Sequence, residues 1–386
     1  MQQDTYFSEP QLLSLPVSRP AYSDRTAWMM AELSRLAYVR FEVPKKLPDL
    51  AKQILAATNE SEVAEQLKEI ISQSRDAEGD PDALLTGPLQ KAGLTLVKAL
   101  SVADSQCFVA KREADREQDD PGMLVVAFRG TEKNWADIKT DLQGNLTKRD
   151  GYAVHTGFDR AYEFLHKPLQ EIIDQNPGLP LYFTGHSLGA ALAVMGAKHL
   201  GCLSAGACYT FGGPRVGDLA FIDGVKIPIY RLVNAADGVP QLPPPKWTID
   251  LLLAAVALLP LRWMQRMRAW LSNFQGYSHY GDQRYLTSVE DIECPNAMTA
   301  LELIANPPLP YRLERMVERL KRYGPTMLLK DHSIKNYCVK LRAIALEANQ
   351  HLVVEAVSES RVVEDAAKEK AAEEVMAKAA EEIAEI

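Results

Sequence analysis

The feature that most narrows the fold of this chain is the pentapeptide Gly185-His186-Ser187-Leu188-Gly189, set between an apolar run at 181–184 and an Ala-rich stretch at 188–199. The run reads as a strand and the stretch as a helix, so Ser187 stands on a strand-to-helix turn. Such a turn is so tight that a Cβ at either glycine would meet neighbouring backbone. The serine between them is held in a strained conformation at the carboxyl end of a sheet, where ligands bind in folds that alternate strands with helices.

The rest of the chain supplies that alternation. Strand-favouring runs fall at 94–100, 107–111, 123–128, 181–184, 208–211 and 229–233, with helices expected over 159–174 and 188–199. The run 123–128 is almost wholly apolar, as a central strand covered on both faces must be. The expected fold is therefore α/β: a mostly parallel central sheet flanked by helices. Upstream, Ser23 can cap a helix over 26–39 with Ala27, Met30, Leu33 and Ala37 on one face, 47–74 reads as a helical accessory, and 76–82 reads as a loop. This divides the chain into an N-terminal helical accessory region of the catalytic domain (1–93), the α/β body (94–345) with a cap-like insertion at 247–275, and an acidic Ala/Glu-rich helical tail (346–386).

The net charge of −8 over 386 residues is concentrated at the end: residues 351–386 hold four Lys/Arg against ten Asp/Glu. No basic stripe exists that would neutralise a row of phosphates, which argues against a nucleic-acid partner. The five cysteines are scattered without a Cys-x-x-Cys pair, and His199 alone lies near one of them, Cys202; they read as reduced packing residues, with no metal and no cofactor implied. The first residues, MQQDTYFSEPQLL, lack a positive region followed by an apolar one, from which a cytoplasmic or peripherally membrane-associated location is expected, with export by a route other than Sec left open.

A serine hydroxyl becomes a useful nucleophile only when an imidazole takes its proton, and that imidazole needs a carboxylate to hold its tautomer. With a strand-turn-helix serine the order is Ser, then Asp or Glu, then His. Asp237 follows the strand run at 229–233 and so lies at the same sheet edge as Ser187, whereas Asp218 and Asp223 suit capping or solvated roles. His279 and His332 both stand downstream, and spacing does not choose between them. His351 opens the acidic tail, away from the site.

Several stretches together resemble the class 3 lipase family, α/β-hydrolases whose secreted fungal members are the familiar examples. They are Ala127-Phe-Arg-Gly-Thr131, Val154-His-Thr-Gly-Phe158, Gly185-His-Ser-Leu-Gly-Ala-Ala-Leu192 and Thr210-Phe-Gly-Gly-Pro-Arg-Val-Gly217. Arg231-Leu-Val-Asn-Ala-Ala-Asp237, Val239-Pro-Gln-Leu-Pro-Pro244, Tyr277-Ser-His279 and Asp331-His332-Ser continue the series, so that the likeness covers roughly residues 22–341 with gaps. The resemblance implies that His332 is the base and that His279, the alternative base, is structural. It implies an oxyanion hole made by the N–H of Leu188 and by Thr131, and supporting roles for His155 and His186. Each such donor contributes about 2.7–4 kcal/mol to the transition state.

It also sets a helical lid over 134–142, where Trp135 and Ile138 share a face. The chain departs from compact family members at 247–275. There an eleven-residue apolar run, too short for the ~20 residues that cross a bilayer, leads into a segment with Trp263 and Trp270 at helical spacing and Arg262, Arg266 and Arg268 among them. Such a segment can cap an acyl pocket, contact a lipid interface, or simply fold over the core. The activity implied is carboxylic ester hydrolysis of the triacylglycerol lipase type. The alternatives are a phospholipase A1, a short-chain or aryl esterase, and a lipase-like scaffold without turnover. Substrates would be lipids or other esters; the sequence leaves acyl-chain length and oligomeric state open.

Overall fold

Alternating apolar strands and one-sided helices bury their apolar faces only by layering, and here they build a sheet with helices on both faces. A computed structural model describes residues 5–13, 20–40, 83–102, 105–117, 119–130, 146–201, 204–244, 248–250, 276–279, 281–287 and 301–350. In chain order these form α1 (Asp24–Arg40), α2 (Ala83–Lys91), β1 (Thr95–Val102), β2 (Ser105–Arg112), β3 (Met123–Phe128), β4 (Leu146–Arg149), β5 (Tyr152–His155) and α3 (Thr156–Asp174). They continue as β6 (Leu181–His186), α4 (Leu188–Leu200), β7 (Cys208–Phe211), α5 (Leu219–Asp223), β8 (Ile229–Asn234), β9 (Asp282–Leu286), β10 (Leu303–Ala305), α6 (Leu309–Tyr323), α7 (Met327–Lys330) and a helix α8 over 334–350.

The eight-stranded sheet runs β1-β2-β3-β6-β7-β8-β9-β10. Its centre, β3-β6-β7-β8-β9, is parallel, and the outer pairs β1-β2, β2-β3 and β9-β10 are antiparallel. This is the α/β-hydrolase architecture expected of the chain. β4 and β5 form a separate hairpin.

Each central strand is buried on both sides, and the period of two divides its residues between two cores. Tyr182, Tyr209 and Tyr230 pack with α1 and α8 on one side; Phe183, Cys208 and Ile229 pack with α3 and α4 on the other. Helix α3 is amphipathic and buries Phe158, Tyr162, Leu165, Leu169 and Ile172, each contributing about 1.5–3 kcal/mol. Helix α4 is enclosed nearly all round, which is why its sequence is Ala-rich. Cys107, Cys208 and Cys338 are free thiols, all buried.

Several elements differ from the sequence expectation. β9, with sequence DQRYL, carries three polar residues in five and has no strand signature; its parallel ladder to β8 and antiparallel ladder to β10 make it a strand. β4, β5 and α6 are likewise additions. The expected accessory helix over 47–74, the lid over 134–142, the cap at 247–275 apart from residues 248–250, and the tail from 351 lie outside the described residues.

Candidate active site

Ser187 follows β6 and caps α4 with φ 58° and ψ −124°, a conformation rare for a non-glycine residue and one that costs on the order of 1–3 kcal/mol. The surrounding structure pins it there. Its N–H donates to the Phe211 carbonyl at 3.0 Å, and its own carbonyl accepts the Ala190 N–H at 3.0 Å. Gly189 lies against the end of β3: a Cβ there would stand 2.8 Å from the Arg129 carbonyl carbon and 2.9 Å from the Gly130 nitrogen. The segment that leads to residue 131 therefore runs directly beside the start of α4.

Asp237 follows β8 through Asn234 and Ala235, the latter at φ 38°. Its carboxylate is 1% exposed and receives three donors. The Val239 N–H reaches Oδ1 at 3.0 Å, the Tyr337 hydroxyl reaches Oδ2 at 2.6 Å, and His332 Nδ1 lies 3.0 Å from both oxygens. A carboxylate that only accepts fixes the proton of His332 on Nδ1, which leaves the Nε2 lone pair free. That Nε2 lies 2.9 Å from Ser187 Oγ. The three side chains thus form a chain of hydrogen bonds along which the serine proton can pass to an imidazole whose resulting charge faces a buried carboxylate.

His332 is held at its backbone as well. Its carbonyl accepts the Nε2–H of His186 at 2.6 Å, and the two rings lie 4.6 Å apart. His186 Nδ1 in turn accepts from the Tyr38 hydroxyl at 2.8 Å. Burial and the neighbouring His332 hold His186 well below the usual histidine range, so it is a fixed neutral donor.

A second layer ties the acid loop to the base loop. Asp331 receives Arg319 on both oxygens, at 2.7 Å for Oδ1, and the Ala236 N–H at 3.0 Å, while its carbonyl accepts Asn234 Nδ2 at 2.8 Å. The Asn234 N–H donates to the Tyr337 hydroxyl at 3.0 Å, and Lys340 Nζ donates to Asn234 Oδ1 and to the Thr287 carbonyl. Lys340 is only 3% exposed, and burial pushes its ammonium down to about 8.

The structure therefore brings Ser187, Asp237 and His332 together and leaves His279 apart. His279 Nε2 faces the Pro240 carbonyl at 2.7 Å, and burial together with Arg231 and Arg215 keeps its pKa well below the histidine range. Leu188 begins α4, where first-turn N–H groups have no carbonyl within the helix. Thr131, Trp135, Ile138, Trp263 and Trp270 lie outside the described residues. Asp218 accepts the Phe221 N–H at 2.8 Å as the cap of α5, and His155 Nδ1 caps α3 through Gly157. Sequence reasoning missed Tyr337, Asn234, Lys340 and Arg319. Their polar atoms act across 53 to 106 residues, or across a turn between helices, and no local pattern announces such pairs.

The family described as lipase (class 3) matches the chain over residues 125–247. A lipase of Rhizomucor miehei is 33% identical over 168 residues, which is 39% of this chain and 45% of that protein. The secreted mono- and diacylglycerol lipase A of Penicillium cyclopium is 34% identical over 131 residues, 31% of this chain and 43% of that protein. The chain thus matches less than half the length of these curated relatives. A crystal structure of a lipase from Rhizopus microsporus var. chinensis aligns over 74% of this chain and 82% of that one, with 21% identity and a TM-score of 0.42.

One expectation is overturned by these findings. A cytoplasmic or peripherally membrane-associated location was read from the first residues, yet the Penicillium relative is named a secreted enzyme. The composition of one short stretch at the start of a chain does not determine where a fold of this kind works.

Proposed function

We propose that this chain, whose residues 125–247 match the class 3 lipase family, is a member of that family and hydrolyses carboxylic esters of the triacylglycerol lipase type. One observation carries the reading: the bonds from Ser187 Oγ through His332 to Asp237, all three side chains buried. Ser187 Oγ attacks the ester carbonyl as His332 Nε2 takes its proton; His332 returns that proton to the leaving alkoxide, and an acyl-enzyme results. Water, deprotonated by His332, then attacks the acyl carbonyl, and Ser187 leaves with the proton. Asp237 stabilises the imidazolium in both halves.

The oxyanion is received by the Leu188 N–H at the start of α4 and by Thr131, one residue beyond Gly130. His186 and Tyr337 are positioning residues, the first for the backbone of the base and the second for the acid. No cofactor or metal takes part. Lipid esters are the substrates, reached beneath a lid carrying Trp135 and Ile138 and a cap at 247–275 carrying Trp263 and Trp270. In this reading residues 1–93 are an accessory part of the catalytic domain, 94–345 its body and 346–386 an appended tail.

The test is hydrolysis of p-nitrophenyl esters of increasing acyl length, with and without emulsified lipid, by the protein and by Ser187→Ala. Activity that vanishes in the variant, by at least about three orders of magnitude, and rises on long emulsified chains supports the lipase. Activity confined to short soluble esters makes the protein an esterase. Undiminished turnover by the variant removes Ser187 from the mechanism.

A further inference from the structure

Between α4 and the segment 213–216 that follows β7 lies a cavity of about 20 Å³ with Thr210, Arg231, Ser278 and His279 as its polar wall and largely aliphatic side chains elsewhere. Strand alternation explains why Arg231 is out of place. Ile229 packs on the α4 side while Tyr230 and Leu232 pack on the other, so the next position facing α4 belongs to a core layer and is filled by a guanidinium. Thr210 is its partner across the β7-β8 ladder.

The Nε of Arg231 is buried and has no hydrogen-bond partner among the described residues, and the same holds for the Nε of Arg312. Arg215 is also buried, and the three guanidiniums oppose one another. Burial first, then its positive neighbours, push Arg215 down to about 9; burial and Arg312 push Arg231 down to about 10. The carboxylate that acts on Arg231 is Asp282, which already accepts from Arg284 and Asn306. Cations drawn out of water in excess of their counter-charges are costly unless something negative joins them.

We propose that this cavity binds a small inorganic monoanion of halide size, held by the Arg231 guanidinium and compensating Arg215 and Arg312. Its volume admits one particle little larger than a water molecule, and so excludes a tetrahedral oxyanion or an organic carboxylate. The site has a mechanical consequence. Arg215 Nη1 donates to the Pro243 carbonyl at 2.6 Å, its N–H donates to the Leu242 carbonyl at 2.9 Å, and His279 holds Pro240. Arg215 and the neutral His279 beside it therefore anchor residues 240–243, directly after the acid loop. An anion that relieves the repulsion among the guanidiniums stiffens that backbone, whatever ester the protein cleaves.

The test uses the full chain in two measurements. Melted at constant ionic strength, the protein is expected to gain about 2–5 °C in chloride or bromide over gluconate, saturably, and the gain should be lost in Arg231→Gln. Crystals grown in bromide are expected to show anomalous density within hydrogen-bond distance of Arg231 Nε. The proposal needs both results on the unsubstituted protein, so it stands or falls even if the variant does not fold. Equal melting in halide and gluconate overturns it. So does a cavity that holds only water or a carboxylate of the chain, and so does bromide confined to the surface.

Discussion

A buried carboxylate is useful to an imidazole only while it stays charged and still, and at Asp237 three donors serve that end. Tyr337 makes the shortest of these contacts. Removing a donor from a charged acceptor costs about 1.5–3 kcal/mol, so Tyr337→Phe should lower kcat about 10- to 100-fold and leave KM unchanged. Steady-state kinetics on a soluble ester decide this, since a rise in KM with kcat intact would show that the hydroxyl shapes the pocket instead. Asp237→Asn presents the wrong partner to Nδ1–H and should cost about four orders of magnitude in kcat. Ser187 and Asp237 were legible in the sequence because the elbow and the residue after a strand carry local signatures. The choice of His332 over His279 came only from the family resemblance. In the structure, geometry separates them: one faces Ser187 and the other a backbone carbonyl.

Elements meet at the elbow with no space to spare. Gly189 faces the backbone at the end of β3, so Gly189→Ala must push α4 away from Arg129 and Gly130. Overpacking of this kind costs about 1–3 kcal/mol, and the shift also moves the Leu188 N–H. The variant is therefore expected to melt lower and to lose activity beyond what the stability loss explains, measured by calorimetry and by ester hydrolysis below its transition. Deletion of 247–275 should abolish hydrolysis of emulsified long-chain esters and spare soluble short ones; equal loss on both would remove the cap from the substrate path. The strands β3, β6, β7 and β8 were legible because they are mostly apolar, and α3 because its stripe repeats at helical spacing. β9 was not, since its identity as a strand resides in the ladder to β8 rather than in its five residues.

At the scale of the molecule, burial holds His186 and His279 well below the histidine range, so the fold keeps them neutral. Above about pH 6.5 both the folded and the unfolded chain carry them uncharged; below it only the unfolded chain takes the proton, so folding stability falls with pH. Each should cost about 1.4 kcal/mol per pH unit until its folded value is reached, and urea unfolding between about pH 7 and pH 5 reads this slope. A flat profile would mean that the folded state also binds these protons. The sheet was legible as a class, yet its closure was not, because the contacts that complete the site span great lengths of chain. His332 reaches Ser187 across 145 residues, Asp237 across 95 and His186 across 146. Loop closure of that length comes late in folding. During synthesis from the N-terminus the elbow exists well before its base has left the ribosome, and the nucleophile is idle. If the protein hydrolyses esters as proposed, that activity works as a clock for completion of the fold. In refolding, its recovery should lag the return of secondary structure, and the cell is spared a reactive serine on half-made chains.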